Sequence, residues 1–263
     1  MTKKYKLKAR VVSQVQLAPN IYSMWLECFE IAQNAQAGQF IGVYPSDNTK
    51  ILMRPISLCE IDAKKGQIRI VYRVTRENTG TDLFSKLKAD DTVEIFGPLG
   101  NGFDKKIAKN KTVVLVGGGI GIPPLLELGK CLAKYAQVIY VLGYRDLQIF
   151  LAKECQKYGQ VYIATQDGSL QTKGTVMDVL KQIKKKFDLI YACGPTPMLK
   201  ALQAYAKTNE ILCYLSLEER MACGIGACLA CVCQSLKIDE HSHVYNKRVC
   251  KDGPIFLATE VKL

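Results

Sequence analysis

The sequence predicts an α+β multidomain chain in three parts. These are an N-terminal antiparallel β-barrel over residues 1–103, a central α/β parallel-sheet domain over 104–210, and a C-terminal cysteine-rich module over 211–263. Three observations predict it. First, residues 5–16, 21–27, 40–44, 68–74 and 92–96 alternate apolar and polar side chains and are rich in Val, Ile and Tyr. That is the period-2 signature of short strands with one buried face. Only 81–87 reads as a helix there. Second, the rhythm changes after about residue 110. Apolar runs at 113–116, 138–142, 161–164 and 189–192 are separated by helix-like stretches, and strand alternating with helix implies parallel pairing in a doubly wound sheet. Third, five of the eleven cysteines fall within 223–250, in a segment too short to build a core without a metal staple.

The cysteine spacing carries the most chemistry. Cys223, Cys228, Cys231 and Cys250 are separated by four, two and eighteen residues, the plant-type arrangement for four thiolates around a 2Fe–2S cluster. Gly224 and Gly226 allow a tight turn whose amides can face sulfur. A structural zinc site is the alternative, although such sites usually pair two short Cys-x-x-Cys knuckles and only one short pair is present. Cys233 lies on an Ala-Cys-Val-Cys alternation that turns it to the other face, and is expected to be a small buried residue.

Composition narrows the classes. No run of about 18 apolar residues is present, so no membrane-spanning helix is expected, and the basic start leads into no apolar leader segment. An odd number of cysteines, many isolated, fits a reducing cytoplasm better than a secreted disulfide scaffold. The net charge of +12 is spread along the chain. Its densest run, Lys184 to Lys186, ends a helix-like stretch, where cations are ordinary. Attraction to acidic partners or anionic cofactors is therefore expected, rather than nucleic-acid binding.

Two glycine-rich stretches point to a nucleotide. Gly117, Gly118, Gly119 and Gly121 follow an apolar strand and precede a helix starting at Pro123-Pro124, the layout that sets backbone amides against a pyrophosphate. The full G-x-G-x-x-G pattern is not met, so a plain tight turn remains the alternative. Cys193 and Gly194 end the fourth parallel strand and project to the same edge of the sheet; Cys193 reads equally as a nicotinamide neighbour or as a small space-saving residue. In the barrel, Arg54, Pro55, Ile56 and Ser57 place a cation and a hydroxyl on an extended segment, although alone they read as a surface turn. Gly80 and Thr81 begin the short helix and form a second candidate anion site.

Taken together, these motifs resemble the ferredoxin–NADP reductase family. With the cysteine segment and the following Lys251-Asp252-Gly253-Pro254, nearly the whole chain resembles its branch of electron-transfer subunits of NAD-dependent dihydroorotate dehydrogenases. The resemblance implies that Arg54, Pro55, Ile56 and Ser57 hold FAD, that Val71, Tyr72 and Arg73 line the flavin, and that Gly80 and Thr81 bind its phosphates. It implies that Gly117, Gly118, Gly119, Gly121, Cys193 and Gly194 receive NAD, and that Cys223, Cys228, Cys231 and Cys250 ligate the 2Fe–2S cluster. The segment from Arg76 to Gly80 is slightly longer than the family pattern. The implied role lies in pyrimidine biosynthesis: an FMN-containing catalytic subunit oxidises dihydroorotate, and electrons cross through 2Fe–2S and FAD to NAD+, in a heterotetramer of two plus two chains. Arg145 could meet a 2′-phosphate and Asp146 beside it would repel one, so these residues leave NAD and NADP open; the resemblance implies NAD. A reductase subunit of a hydrogenase, sulfite reductase or transhydrogenase is the rival within the same architecture, and a zinc-stapled binding module is the rival outside it. No acid–base dyad is evident, and no catalytic side chain is assigned. His241 and His243 fall in a polar loop and are expected to be exposed.

Overall fold

The computed structural model describes residues 3–239 and 243–263; His241 lies outside them. The N-terminal third is a closed six-stranded antiparallel barrel. Its strands are β1 (Tyr5–Ala18), β2 (Ile21–Glu27), β3 (Phe40–Val43), β4 (Arg54–Asp62), β5 (Gln67–Arg73) and β6 (Thr92–Leu99), in the order β1-β2-β5-β4-β3-β6. Two short helices, α1 (Phe29–Asn34) and α2 (Gly80–Ser85), fill the crossings. Met24, Leu26, Ile41, Leu58, Ile68, Ile70 and Ile95, all essentially inaccessible, form the barrel core. Full closure leaves no unpaired sheet edge.

β4 is the strand that alternation did not predict. Pro55 removes one amide donor, and Arg54 and Pro55 read as a turn. The strand tolerates the proline because it lies next to the end, paired with Gly42. Ile56 and Leu58 then point inward, as a strand requires.

The second unit is a seven-stranded sheet. Its elements are β7 (Thr112–Gly118), α3 (Pro123–Leu132), β8 (Gln137–Tyr144), α4 (Ala152–Cys155), β9 (Gln160–Thr165), β10 (Thr172–Lys173), α5 (Val176–Gln182), β11 (Leu189–Cys193), α6 (Thr196–Thr208) and β12 (Leu212–Ser216). Beyond them lie β13 (Val232–Gln234), β14 (Asn246–Arg248) and β15 (Ile255–Leu257). The sheet order is β10-β9-β8-β7-β11-β12-β15, all parallel except β15, which runs antiparallel to β12. The order reverses between β7 and β11. That is the switch point at which open α/β sheets bind ligands.

The expected division at residue 210 falls just before β12, yet β12 and β15 both belong to the central sheet. The cysteine segment is therefore inserted between two strands of that sheet rather than appended to it. Between them stands the small β13–β14 ribbon. Backbone bonds from Ala258 to Cys213 and from Leu217 to Pro254 close the insertion at its base. Phe256, 2% exposed, anchors β15 in the core under α6.

Truncating that anchor is expected to loosen the insertion. Phe256→Ala should cost about 3–5 kcal/mol of stability, measured by chemical denaturation.

Candidate functional site

The first feature is a cationic cleft of about 790 Å³ at the open end of the barrel. Lys50, Arg54, Arg73 and Arg76 face it with Thr81, against one carboxylate, Glu77. Arg54 lies across the start of α2: a Cβ on Gly80 would stand 2.9 Å from its Nε. Gly80 thus lets the guanidinium settle over the helix start. Thr79 caps that helix by accepting the Asp82 amide at 3.3 Å. Arg54 also donates to the Leu52 carbonyl at 2.5 Å. An excess of cations beside a helix start suits a diphosphate, so these residues fit the pyrophosphate of FAD.

Of the other expected barrel residues, Arg73 reaches the cleft and several do not. Ile56 points into the barrel core. Ser57 sits opposite Phe40 and is not among the cleft-lining residues; three positions beyond Arg54, it turns to the other face of β4. Pro55 is exposed. Tyr72 is buried inside the barrel, bonded through its hydroxyl to Gln14 at 2.6 Å and stacked on Tyr22. Val71 faces the second unit, in one core with Ile122 and Leu125. The side chains of Val71 and Tyr72 therefore do not line the cleft. Alternation turns Tyr72 into the barrel and puts Val71 and Arg73 on the opposite face, where Val71 packs against the second unit and only Arg73, at the end of the strand, reaches the cleft. Lys50, Thr79 and Arg76 were not singled out from the sequence; their signal was a cluster of cations and hydroxyls bracketing Gly80.

The second feature is the glycine turn at the switch point. β7 ends at Gly118, a single tight turn covers Gly119–Gly121, and α3 follows. Gly119 takes the left-handed conformation at φ 53°. Gly117 and Cys193 are paired in register across β7 and β11. A Cβ on Gly121 would lie 2.4 Å from the Cys193 carbonyl oxygen and 2.6 Å from the Gly194 nitrogen. The two glycine-rich stretches are thus pressed backbone to backbone, as their shared edge implied. Cys193 itself is 1% exposed. Burial, with the nearby charge of Glu218, pushes its thiol up to about 12. It is a neutral filler at ordinary pH, not a nucleophile.

Arg73 connects the two features. Its Nη2 lies 3.6 Å from where a Cβ on Gly119 would stand. Burial and the proximity of Arg145 both disfavour its charge, so an anion between them would relieve the repulsion.

The third feature is the cysteine loop. The Cys223 sulfur accepts the amides of Ile225, Ala227 and Cys228 at 3.5, 3.3 and 3.4 Å. Partial burial pushes this thiol up, but the Ile225 and Cys228 amides, the Cys228 thiol and the Ala227 amide outweigh it, bringing it down to about 6. The Cys250 amide donates to the Cys231 sulfur at 3.4 Å. Burial and the adjacent Cys231 push the Cys250 thiol up to about 12. The four sulfurs thus fall into two neighbouring pairs, 223 with 228 and 231 with 250. Among the described residues, no three His, Cys, Asp or Glu side chains converge tightly enough to share one ion. Two sulfur pairs with amide donors aimed at Cys223 and Cys231 fit a two-iron cluster. Cys233 is half-buried, and burial, Glu219 and the neighbouring Cys231 push it up to about 11. Arg248 supports the loop, pairing with Asp252 through Nε at 3.0 Å and Nη2 at 3.2 Å. His243 is exposed.

The loop is seated on the barrel. A Cβ on Gly224 would meet Met53 at 2.4 Å and Leu99 at 3.0 Å. Asn101 donates its amide to Gly253 at 2.7 Å and its side chain to the carbonyls of Lys251 and Asp252, each at 3.1 Å. Met53 is the residue before Arg54, so the cysteine loop and the cationic cleft flank adjacent positions of one chain.

Two stretches of the chain match known protein families. Residues 8–103 match the oxidoreductase FAD-binding domain, and residues 218–262 match the iron–sulfur cluster binding domain of dihydroorotate dehydrogenase B. The dihydroorotate dehydrogenase B (NAD(+)) electron transfer subunit of Listeria welshimeri is 46% identical over 257 residues, covering 97% of this chain and 98% of that one. The Bacillus velezensis protein of the same name is 43% identical, covering 98% and 99%. Among solved structures, an NADH-dependent reduced ferredoxin–NADP oxidoreductase superposes with a TM-score of 0.85 at 27% identity, over 97% of this chain and 89% of that one. A ferredoxin–NADP+ reductase from Neisseria gonorrhoeae shares the fold at a TM-score of 0.64 and 14% identity, over 77% of this chain and 91% of that one.

In the metal-free chain, Cys223 should be alkylated by iodoacetamide with a half-maximal rate near pH 6, falling below that pH as the thiol protonates. Cys193, with its thiol pushed up to about 12, should remain unmodified over the same range. Peptide mass mapping across a pH series reads both.

Proposed function

The chain belongs to the family of dihydroorotate dehydrogenase B electron-transfer subunits, and on that footing we propose that it carries electrons from an FMN-containing catalytic subunit to NAD+. The observation that supports this most directly is the seating of the cysteine loop against Met53 and Leu99, next to the cleft that Arg54 enters. When bound, the 2Fe–2S cluster passes electrons singly and FAD collects them for release as a hydride.

The chain's own residues do the positioning. Arg54, Gly80 and Thr81, with Lys50 and Arg76, hold the FAD diphosphate, and Arg73 marks the boundary with the second nucleotide. Gly117, Gly118, Gly119 and Gly121 present backbone to NAD at the switch point, with Cys193-Gly194 forming the floor. Cys223, Cys228, Cys231 and Cys250 ligate the cluster, and the amides around Cys223 stabilise its negative charge. No side chain is assigned to proton transfer, which suits a subunit that arranges cofactors for a partner.

The partner side is read from exposure. Ile225 and Leu229 on the cysteine loop are 45% and 51% exposed, apolar surface beside the cluster where a catalytic subunit would meet it. A two-plus-two heterotetramer is the assembly we propose. Eleven free cysteines support a reducing cytoplasm, and no helix among the described residues is long and apolar enough to cross a membrane.

Reconstitution with an FMN-containing dihydroorotate dehydrogenase subunit should give dihydroorotate-dependent NAD+ reduction; its absence with every such subunit defeats the proposal. Cys228→Ser should abolish cluster assembly while FAD stays bound, read as lost iron with retained flavin absorbance. Iron near the wild-type level in that variant overturns the ligand assignment. NADH should be oxidised faster than NADPH in steady state, and equal rates overturn the choice of NAD.

A further inference from the structure

The barrel and the nucleotide sheet meet along one face of β5. Alternation places Arg69, Val71 and Arg73 on that face. Arg73 reaches the Gly119 turn, and Val71 packs in the nucleotide-domain core beside Ile122. At the far end Arg69 is 7% exposed. Its Nε donates to Ser23 Oγ at 2.8 Å and its Nη1 to Glu60 Oε2 at 2.7 Å, both within the barrel. The same guanidinium crosses to α4 of the other unit, donating to Glu154 Oε2 at 2.5 Å through Nη1 and to Oε1 at 3.3 Å through Nη2. A second tie lies beside it: the Ile61 amide donates to Glu127 Oε2 at 3.0 Å, and Lys130 donates to the Ile61 carbonyl at 3.1 Å.

A fork gripping both oxygens of a carboxylate fixes direction as well as distance. Burial of such charges adds little net stability against apolar residues of the same size, so the arrangement is better explained by geometry than by strength. From Arg69 to Arg73 the strand spans about 13 Å, so a swing of about 5° at one end moves the other by about 1 Å. A misplacement of about 1 Å in a reacting pair can cost roughly a hundredfold in rate.

We propose that Arg69 is a positioning residue for hydride transfer, clamping Glu154 so that the angle between the flavin barrel and the nicotinamide-binding turn is held constant. The inference rests on the FAD-to-NAD reading above. It assigns to Arg69 and Glu154 a role in a reaction whose reacting atoms they never touch.

The test uses the full chain loaded with FAD and cluster. NADH supplies a hydride and solvent a proton, giving reduced FAD and NAD+, and stopped-flow absorbance reads the rate. Arg69→Met strands two carboxylates, so Glu154→Gln is the decisive variant, because it removes the charge and one of the two acceptor oxygens of the interdomain arm and leaves Arg69 paired with Glu60. Flavin reduction in Glu154→Gln should slow by roughly tenfold to a hundredfold, with FAD and iron content unchanged, and Arg69→Lys should fall between it and wild type. Amide hydrogen exchange across residues 152–155 should quicken by roughly tenfold in Glu154→Gln. A loss of thermal stability alone, with flavin reduction within about twofold of wild type, overturns the inference, as does unaltered exchange at α4. If NADH fails to reduce FAD in the wild-type chain, the FAD-to-NAD reading fails, and this inference fails with it.

Discussion

Three hydrogen bonds from Asn101 to the backbone of residues 251–253 hold the molecule's redox parts in one frame. The cysteine segment has little core of its own. Its loop is exposed, and among the described residues its own sheet is a two-stranded ribbon, which is marginal in isolation. It keeps its shape because the barrel end grips it on one side and β15 ties it to the nucleotide sheet on the other. Without both attachments, the close fit of Gly224 on Met53 and Leu99 would not persist, and the four sulfurs would lose their relation to the flavin cleft.

That frame explains how small residues recur at the junctions. Gly80 yields to Arg54, Gly121 to the Cys193 carbonyl, and Gly224 to Met53. At Gly121 the approach is backbone to backbone, closer than a Cβ permits, while at Gly80 and Gly224 a Cβ would push against neighbouring side chains. The cofactor geometry is therefore carried by backbone contact and by a few buried polar ties, such as Arg69 with Glu154, rather than by large catalytic side chains. Electrostatics follows the same plan. The cleft collects cations for a diphosphate, while the amides around Cys223 stabilise a thiolate at the opposite end of the route.

Much of this was legible in the chain itself. Period-2 alternation located five of the six barrel strands, and apolar runs located the parallel strands at 113–116, 138–142, 161–164 and 189–192. Local spacing alone picked out Cys223, Cys228, Cys231 and Cys250, because a metal cage constrains neighbours along the chain. What escaped was long-range. β4 was hidden by Pro55. β12 and β15 are short strands whose membership in the sheet depends on partners rather than on their own pattern. Tyr72 is turned into the barrel by the pleat, while Val71, on the same face as Arg73, is held in the second unit's core. Arg69 and Glu154 lie 85 residues apart, and no local signal joins them.

The placement of the cysteine segment between β12 and β15 also orders events at birth. A chain emerging from the ribosome completes the barrel, the glycine turn and β12 before its last ligand, Cys250, and its closing strand are made. Until β15 arrives, the outer edge of β12 stays open, the kind of edge that invites unwanted pairing. The strand that follows the last cysteine of the cage is thus also the one that seals the sheet. The segment from Cys250 through β15 serves both the metal centre and protection from aggregation.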